Sequence, residues 1–131
     1  EGTHQRRGLR RERALMTGWT GGQNSVGDIA PALAHYTDAV LFDEVWERPE
    51  LSKRDRSLVT VTALVTLGAV DQLSFHIGFA RAHGVTETEV VEAITHLAFY
   101  VGWPRAMSAI GVARTVFAHT ASASTPAETT D

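Results

Sequence analysis

The side chains best suited to moving protons in this chain are histidines set among apolar neighbours. His76 lies in the stretch Leu73-Ser74-Phe75-His76-Ile77, within a run of helical periodicity. An imidazole there is either a core histidine hydrogen-bonded to a neighbour or an acid/base group in an apolar hollow. Glu44 sits on an apolar turn between Phe42, Val45 and Trp46. Enclosed by such residues, a carboxyl group holds its proton more tightly and can serve as donor or base. The other reading of Glu44 is an exposed carboxylate at a helix end. Arg48 precedes Pro49, which stiffens its backbone. Its guanidinium can clamp a substrate carboxylate through two hydrogen bonds, or pair with Asp55, Glu44 or a neighbouring subunit. His96 follows Glu92 by four residues, so a helix puts both on one face, with His76 added only if the two helices pack. His35, beside Tyr36, can reach the same pocket. Two histidines and a carboxylate raise the question of a metal, but their spacing is not that of a metal motif and none is expected. His83, before a helix-ending glycine, is expected to favour the helix dipole.

Trp46, Phe75, Phe79, Phe99, Tyr100 and Trp103 form an aromatic set expected in the core or in a pocket wall. Trp46, Phe75, Phe79, Tyr100 and Trp103 are the candidate lining for a ring-shaped small-molecule substrate. Arg54 and Arg56 are expected to pair with Asp55, Glu50 or Asp43. The 131 residues include no cysteine, which removes thiolate chemistry and disulfides. Net charge is −3, so no strongly basic face is implied and nucleic acid is not an expected partner. Arg6, Arg7, Arg10, Arg11 and Arg13, interrupted by Glu12, read as a solvated helix face or arm. No apolar run approaches the roughly 20 residues that cross a bilayer, and no signal peptide is visible. A cytoplasmic protein without membrane contact is the expectation.

Helices must position these groups. Residues 1–16 read as a short amphipathic helix, and the glycines between 17 and 27 as a loop. Asp28 is expected to cap a helix with Pro31 in its first turn and Ile29, Leu33, Tyr36, Val40, Leu41 and Val45 on one face, ending near Trp46. Ser52 caps a helix running to about Leu67, apolar nearly all round and therefore central and buried. Gly68 stops it. A helix from Asp71 to His83 carries Leu73, Ile77 and Ala80 on one face and ends at Gly84. Thr86 and Glu89 form a capping box for the helix Glu87–Tyr100, which ends at Gly102. Pro104 starts a last helix reaching about Ala118. The fold class is thus all-α, a single domain over residues 1–120, followed by a disordered tail over 121–131.

The ordered text FDEVWERPELSKRDRSLVTVTALVTLG, then DQLSFHIGFARAHGVTETEVVEAITHLAFYVGWPRA, resembles the carboxymuconolactone decarboxylase family. The resemblance implies an alkylhydroperoxidase D-like bundle of about six helices. It also implies a homo-oligomer, commonly a trimer or hexamer. One branch of this fold uses a Cys-x-x-Cys pair with a relay glutamate and a histidine. Aligned on His76, those positions hold Ala69, Gln72 and Ser57, so thiol peroxidase chemistry is not expected. The cysteine-independent branch implies a cofactor-free acid/base enzyme that converts γ-carboxymuconolactone to an enol-lactone. In it His76 and Glu44 move protons and Arg48 holds a carboxylate. Asp43 replaces the glycine of the family's F-G-E-V-W, which favours an alternative in secondary metabolism: a dehydratase or cyclase on a larger aromatic polyketide-like substrate. A third alternative is a non-catalytic oligomeric scaffold that kept the fold.

Overall fold

A computed structural model describes residues 19–124, which are helical apart from short connections and contain no strand. They fall into two compact units, one ending at Glu50 and one beginning at Leu51. The helix expected over residues 1–16 and the basic cluster within it lie outside the described residues, as do residues 125–131.

In the first unit, α1 (Gly21–Val26) forms where a glycine-rich loop is expected. Thr20 supplies no side-chain cap. Instead the carboxylate of Asp38, far along the chain, accepts from the backbone N–H groups of Gly22 at 2.7 Å and Gln23 at 2.9 Å. These are among the donors a helix start leaves unsatisfied. A Cβ on Gly22 would sit 2.9 Å from the Ala34 carbonyl oxygen, so the glycine here serves close packing. Helix α2 (Pro31–His35) has proline in its first turn, as expected. Its cap position is Ala30, so Asp28 is not the N-cap.

The chain then widens into a π-helical segment, Tyr36–Val45, with the Trp46 N–H bonded five residues back to the Leu41 carbonyl at 2.9 Å. This widening spoils the expected α-helical stripe. Ile29, Leu33 and Tyr36 are exposed, and the buried side is Ala34, Phe42 and Trp46. Phe42 stacks on Trp19 with ring centroids 3.8 Å apart and contacts Trp46 at 6.0 Å.

The second unit is a four-helix bundle of α3 (Lys53–Leu67), α4 (Val70–Ala82), α5 (Glu87–Val101) and α6 (Trp103–Ser124). Its ends follow the sequence. The Ser52 hydroxyl accepts from the Asp55 N–H at 3.1 Å. Gly68, Gly84 and Gly102 take the positive φ that side chains resist. Thr86 and Glu89 exchange both bonds of the capping box at 3.1 Å. Helix α3 packs on the three others, while α4 and α5 each pack on α3 and α6 and lie on opposite corners.

The core joins Val61 and Val65 of α3, Leu73, Ile77 and Ala80 of α4, Val90 and Ile94 of α5, and Ala106, Ala109 and Ala113 of α6. The alanines let α6 approach closely. Only the Ser57, Val61 and Val65 stripe of α3 is fully buried, and Val59 and Leu67 are exposed. That helix is central, but it is not enclosed all round as its composition suggests. Arg54 pairs with Asp55 at 3.9 Å, as expected, and also binds Glu89 across the starts of α3 and α5, a partner 35 residues away. Arg105 donates to the Thr66 carbonyl at 2.6 Å and closes the end of α3. Helix α6 continues to Ser124, past its expected end. No helix among the described residues is long and apolar enough to cross a membrane.

Candidate functional site

His76 lies in the middle of α4, one position off the buried stripe of Leu73, Ile77 and Ala80. That offset leaves the ring half-buried, with its Nδ1 buried. Two phenyl rings flank it. Phe75 meets it edge-on with centroids 5.0 Å apart, and Phe79 does so at 6.1 Å. Phe75 and Phe79 stack on each other at 5.3 Å. Burial beside hydrocarbon disfavours the imidazolium, so the pKa of His76 is lowered from that of a free imidazole. A half-buried imidazole in an apolar setting can take up or release a proton.

The same two phenylalanines line a groove of about 500 Å³ between α4 and α6, whose other walls include Ser74, Gly78, Thr115, Val116 and His119. The rings thus belong both to the surroundings of His76 and to this groove. His76 is not itself in the groove wall.

His96 and Glu92 do share a face, and both line a second groove of about 640 Å³ between α3 and α5. Thr62, Thr66 and Tyr100 complete its polar edge, and the His96 and Tyr100 rings lie 4.9 Å apart. Because α4 and α5 occupy opposite corners of the bundle, His96 and His76 do not share a groove.

Tyr100 is 75% exposed, and Phe99 and Trp103, whose rings meet edge-on at 5.3 Å, are 77% and 56% exposed. These three form no part of the core of this chain. His35, Glu44, Trp46 and Arg48 belong to the first unit. His35 and Glu44 are exposed, so the apolar neighbours of Glu44 do not enclose it. Trp46 is buried against Phe42. Arg48 pairs with Glu50 at 3.8 Å, both side chains largely exposed.

Two residues stand out that the spacing of apolar residues did not single out as functional. His83 closes α4, two helical turns after His76 and close to the same face. Its ring meets Phe79 edge-on at 4.3 Å, and its Nδ1 lies 3.4 Å from the hydroxyl of the fully buried Ser57 on α3. The signal was available in the seven-residue interval between the two histidines. Among the described residues no group of three or more His, Asp or Glu side chains is placed to hold a metal ion.

The sequence profile of the carboxymuconolactone decarboxylase family matches residues 31–115, a stretch reaching into both units and including His76, His83 and His96. A 4-carboxymuconolactone decarboxylase of Acinetobacter baylyi is 34% identical over 93 residues, covering 71% of this chain and 69% of that protein. A nitrosuccinic acid decarboxylase of Metarhizium robertsii is 39% identical over 66 residues, covering 50% of this chain and 46% of that protein.

Proposed function

Because the chain belongs to the carboxymuconolactone decarboxylase family, we propose that it is a carboxy-lyase whose substrate supplies its own electron sink. The observation that carries this reading is the half-buried His76 imidazole, flanked edge-on by Phe75 and Phe79. Carboxymuconolactone and nitrosuccinic acid share a chemical feature. In each, a carboxylate sits on a carbon whose bonding electrons can pass into an acceptor in the same molecule, an unsaturated lactone or a nitro group. Loss of CO2 breaks the carbon–carbon bond and leaves its electron pair as a dienolate or nitronate. One proton must then reach carbon.

His76 suits that step. Burial keeps it neutral in the free protein. A polyanionic substrate beside the ring offsets the desolvation and draws a proton onto it, because an opposite charge within a few ångströms favours the charged form. The imidazolium then gives that proton to carbon and returns to its neutral state. A positioned donor of this kind contributes about 10²–10⁴ in rate. The leading substrate is γ-carboxymuconolactone and the product its enol-lactone.

Purified protein incubated with 4-carboxymuconolactone, and separately with nitrosuccinate, is expected to release CO2 from at least one. Release no faster than the uncatalysed rate from both would remove the reading. A second reading, dehydration or cyclisation of a larger aromatic substrate, draws on Asp43 and on the largely apolar groove bounded by Phe75 and Phe79. We further propose that copies of this chain associate through the exposed corner of Phe99, Trp103 and Met107, since contiguous exposed apolar side chains mark interaction surfaces.

A further inference from the structure

The groove between α3 and α5 has no part in the decarboxylation described above. Glu92, His96 and Tyr100 recur every four residues on α5, so they stand in one row, about 6 Å apart along the helix axis. Thr62 and Thr66 form a second row on α3. The two helices start side by side, where Arg54 binds Glu89. Counted from that contact, Thr62 lies about 12 Å along α3 and His96 about 10 Å along α5, and Thr66 and Tyr100 each follow one turn later. The rows therefore meet at matching levels across the groove of about 640 Å³, with Ala93, Leu97 and Val101 as its apolar wall. That volume suits a small molecule.

The polar groups of these rows are rich in acceptors. The Thr66 hydroxyl donates to the Thr62 carbonyl at 2.8 Å, which commits its one proton and leaves its oxygen to accept. The Glu92 carboxylate only accepts. The two acids in the first turn of α5 are held by arginines, Glu87 by Arg81 at 2.8 Å and Glu89 by Arg54. Among the described residues no lysine, arginine or histidine forms an ion pair with Glu92. Its charge therefore faces the groove without a cation of this chain to neutralise it. Arg105 donates to the Thr66 carbonyl at 2.6 Å, beyond the opposite end, and is not in the groove wall. Between the two ends the His96 and Tyr100 rings, 4.9 Å apart, offer flat π faces, which attract cations and stack on planar groups.

We propose that this groove is a binding site, separate from the His76 face, for a small organic cation: a protonated amine or amidinium on a flat apolar body. Its N–H groups donate to the Glu92 carboxylate, a charge-assisted bond that a neutral ring cannot make and an anion opposes. Its body lies along Leu97 and Val101, against the rings of His96 and Tyr100. Phe99, Trp103 and Met107 are not in the groove wall, so association of copies through them uses none of these side chains.

Benzamidine is the probe, with benzoate and benzyl alcohol as its anionic and neutral counterparts. In 1H–15N NMR titrations of the whole chain, benzamidine is expected to give saturable shifts over residues 62–66 and 92–101. Benzyl alcohol should bind about tenfold more weakly and benzoate not at all. Glu92→Gln keeps the size of an exposed side chain and removes its charge. It is expected to weaken benzamidine about fivefold, and Tyr100→Leu to weaken it severalfold, both with unchanged thermal unfolding. Equal affinity in Glu92→Gln overturns the proposal, as does benzoate binding as tightly as benzamidine. Shifts centred on Phe75 and His119 in the other groove overturn it too, as does the absence of saturable binding below about 10 mM. The readout needs no turnover, so this site and the decarboxylase reading stand or fall separately.

Discussion

Replacing His76 by asparagine or glutamine separates an enzyme from a protein that keeps only the fold. Both substitutions retain a polar side chain in the half-buried position between Phe75 and Phe79, so neither opens the cavity that alanine would leave. Neither can carry a proton to carbon. If His76 is the donor, the loss is the contribution of one positioned acid, about 10²–10⁴ in kcat, or roughly 3–5 kcal/mol of barrier at 1.36 kcal/mol per tenfold. The pH dependence adds a signature. Burial lowers the pKa of His76 in the free protein, so the wild-type kcat/KM profile should break below the free-imidazole value of about 6.5. An anionic substrate offsets that burial, so the break in kcat should lie at higher pH than the break in kcat/KM. Initial rates of CO2 release across pH 4–9, with circular dichroism to confirm folding, measure both. Full activity in His76→Asn, or a wild-type profile with no break that the variant removes, would refute the role given to this imidazole. A scaffold without catalysis predicts no turnover in either protein and a change in stability alone.

The same burial makes stability depend on pH. The native pKa of His76 is depressed, so as pH falls the unfolded chain takes up its proton first. The associated stability is complete above about pH 6.5 and is lost as pH falls through that value towards the native pKa. Chemical denaturation at pH 7.5 and 5.5 should show a smaller acid loss in His76→Gln than in wild type, and equal losses would contradict the assignment. Thr86→Ala removes the hydroxyl half of the capping box on α5 and should cost about 1 kcal/mol, seen as a lower midpoint in thermal unfolding. Ile94, fully buried at the centre of the bundle, should cost about 2–5 kcal/mol when cut to alanine, and a change below 0.5 kcal/mol would show that the core is elsewhere. Gly22→Ala forces a Cβ to within 2.9 Å of the Ala34 carbonyl oxygen. It should destabilise the first unit by about 1–3 kcal/mol, despite alanine's higher helix propensity.

The second unit was legible from sequence because its signals are local. Ser52, Thr86 with Glu89, and the glycines 68, 84 and 102 set the ends of its helices through contacts only a few residues long. The positions Leu73, Ile77 and Ala80 announce the buried face of α4 by their spacing alone. The absence of cysteine likewise excluded a thiol site before any fold was known. The first unit was less legible. Helix α1 is capped by Asp38, 16 residues beyond Gly22, and the π-helical widening after His35 changes which residues share a face. Neither cause lies within a short window of sequence.

Which histidines meet was also beyond the sequence. Periodicity put His76 and His96 on suitable helix faces, but only the packing order put α4 and α5 at opposite corners and the two rings apart. The same packing brought Ser57 of α3 under His83, 26 residues later, a pairing between an unremarked serine and a helix-end histidine. Sequence therefore determined the helix ends, the inward stripe of α4 and the available chemical groups, because each depends on neighbours along the chain. Tertiary structure alone decided which groups stand together, because that depends on how one helix is laid against the next.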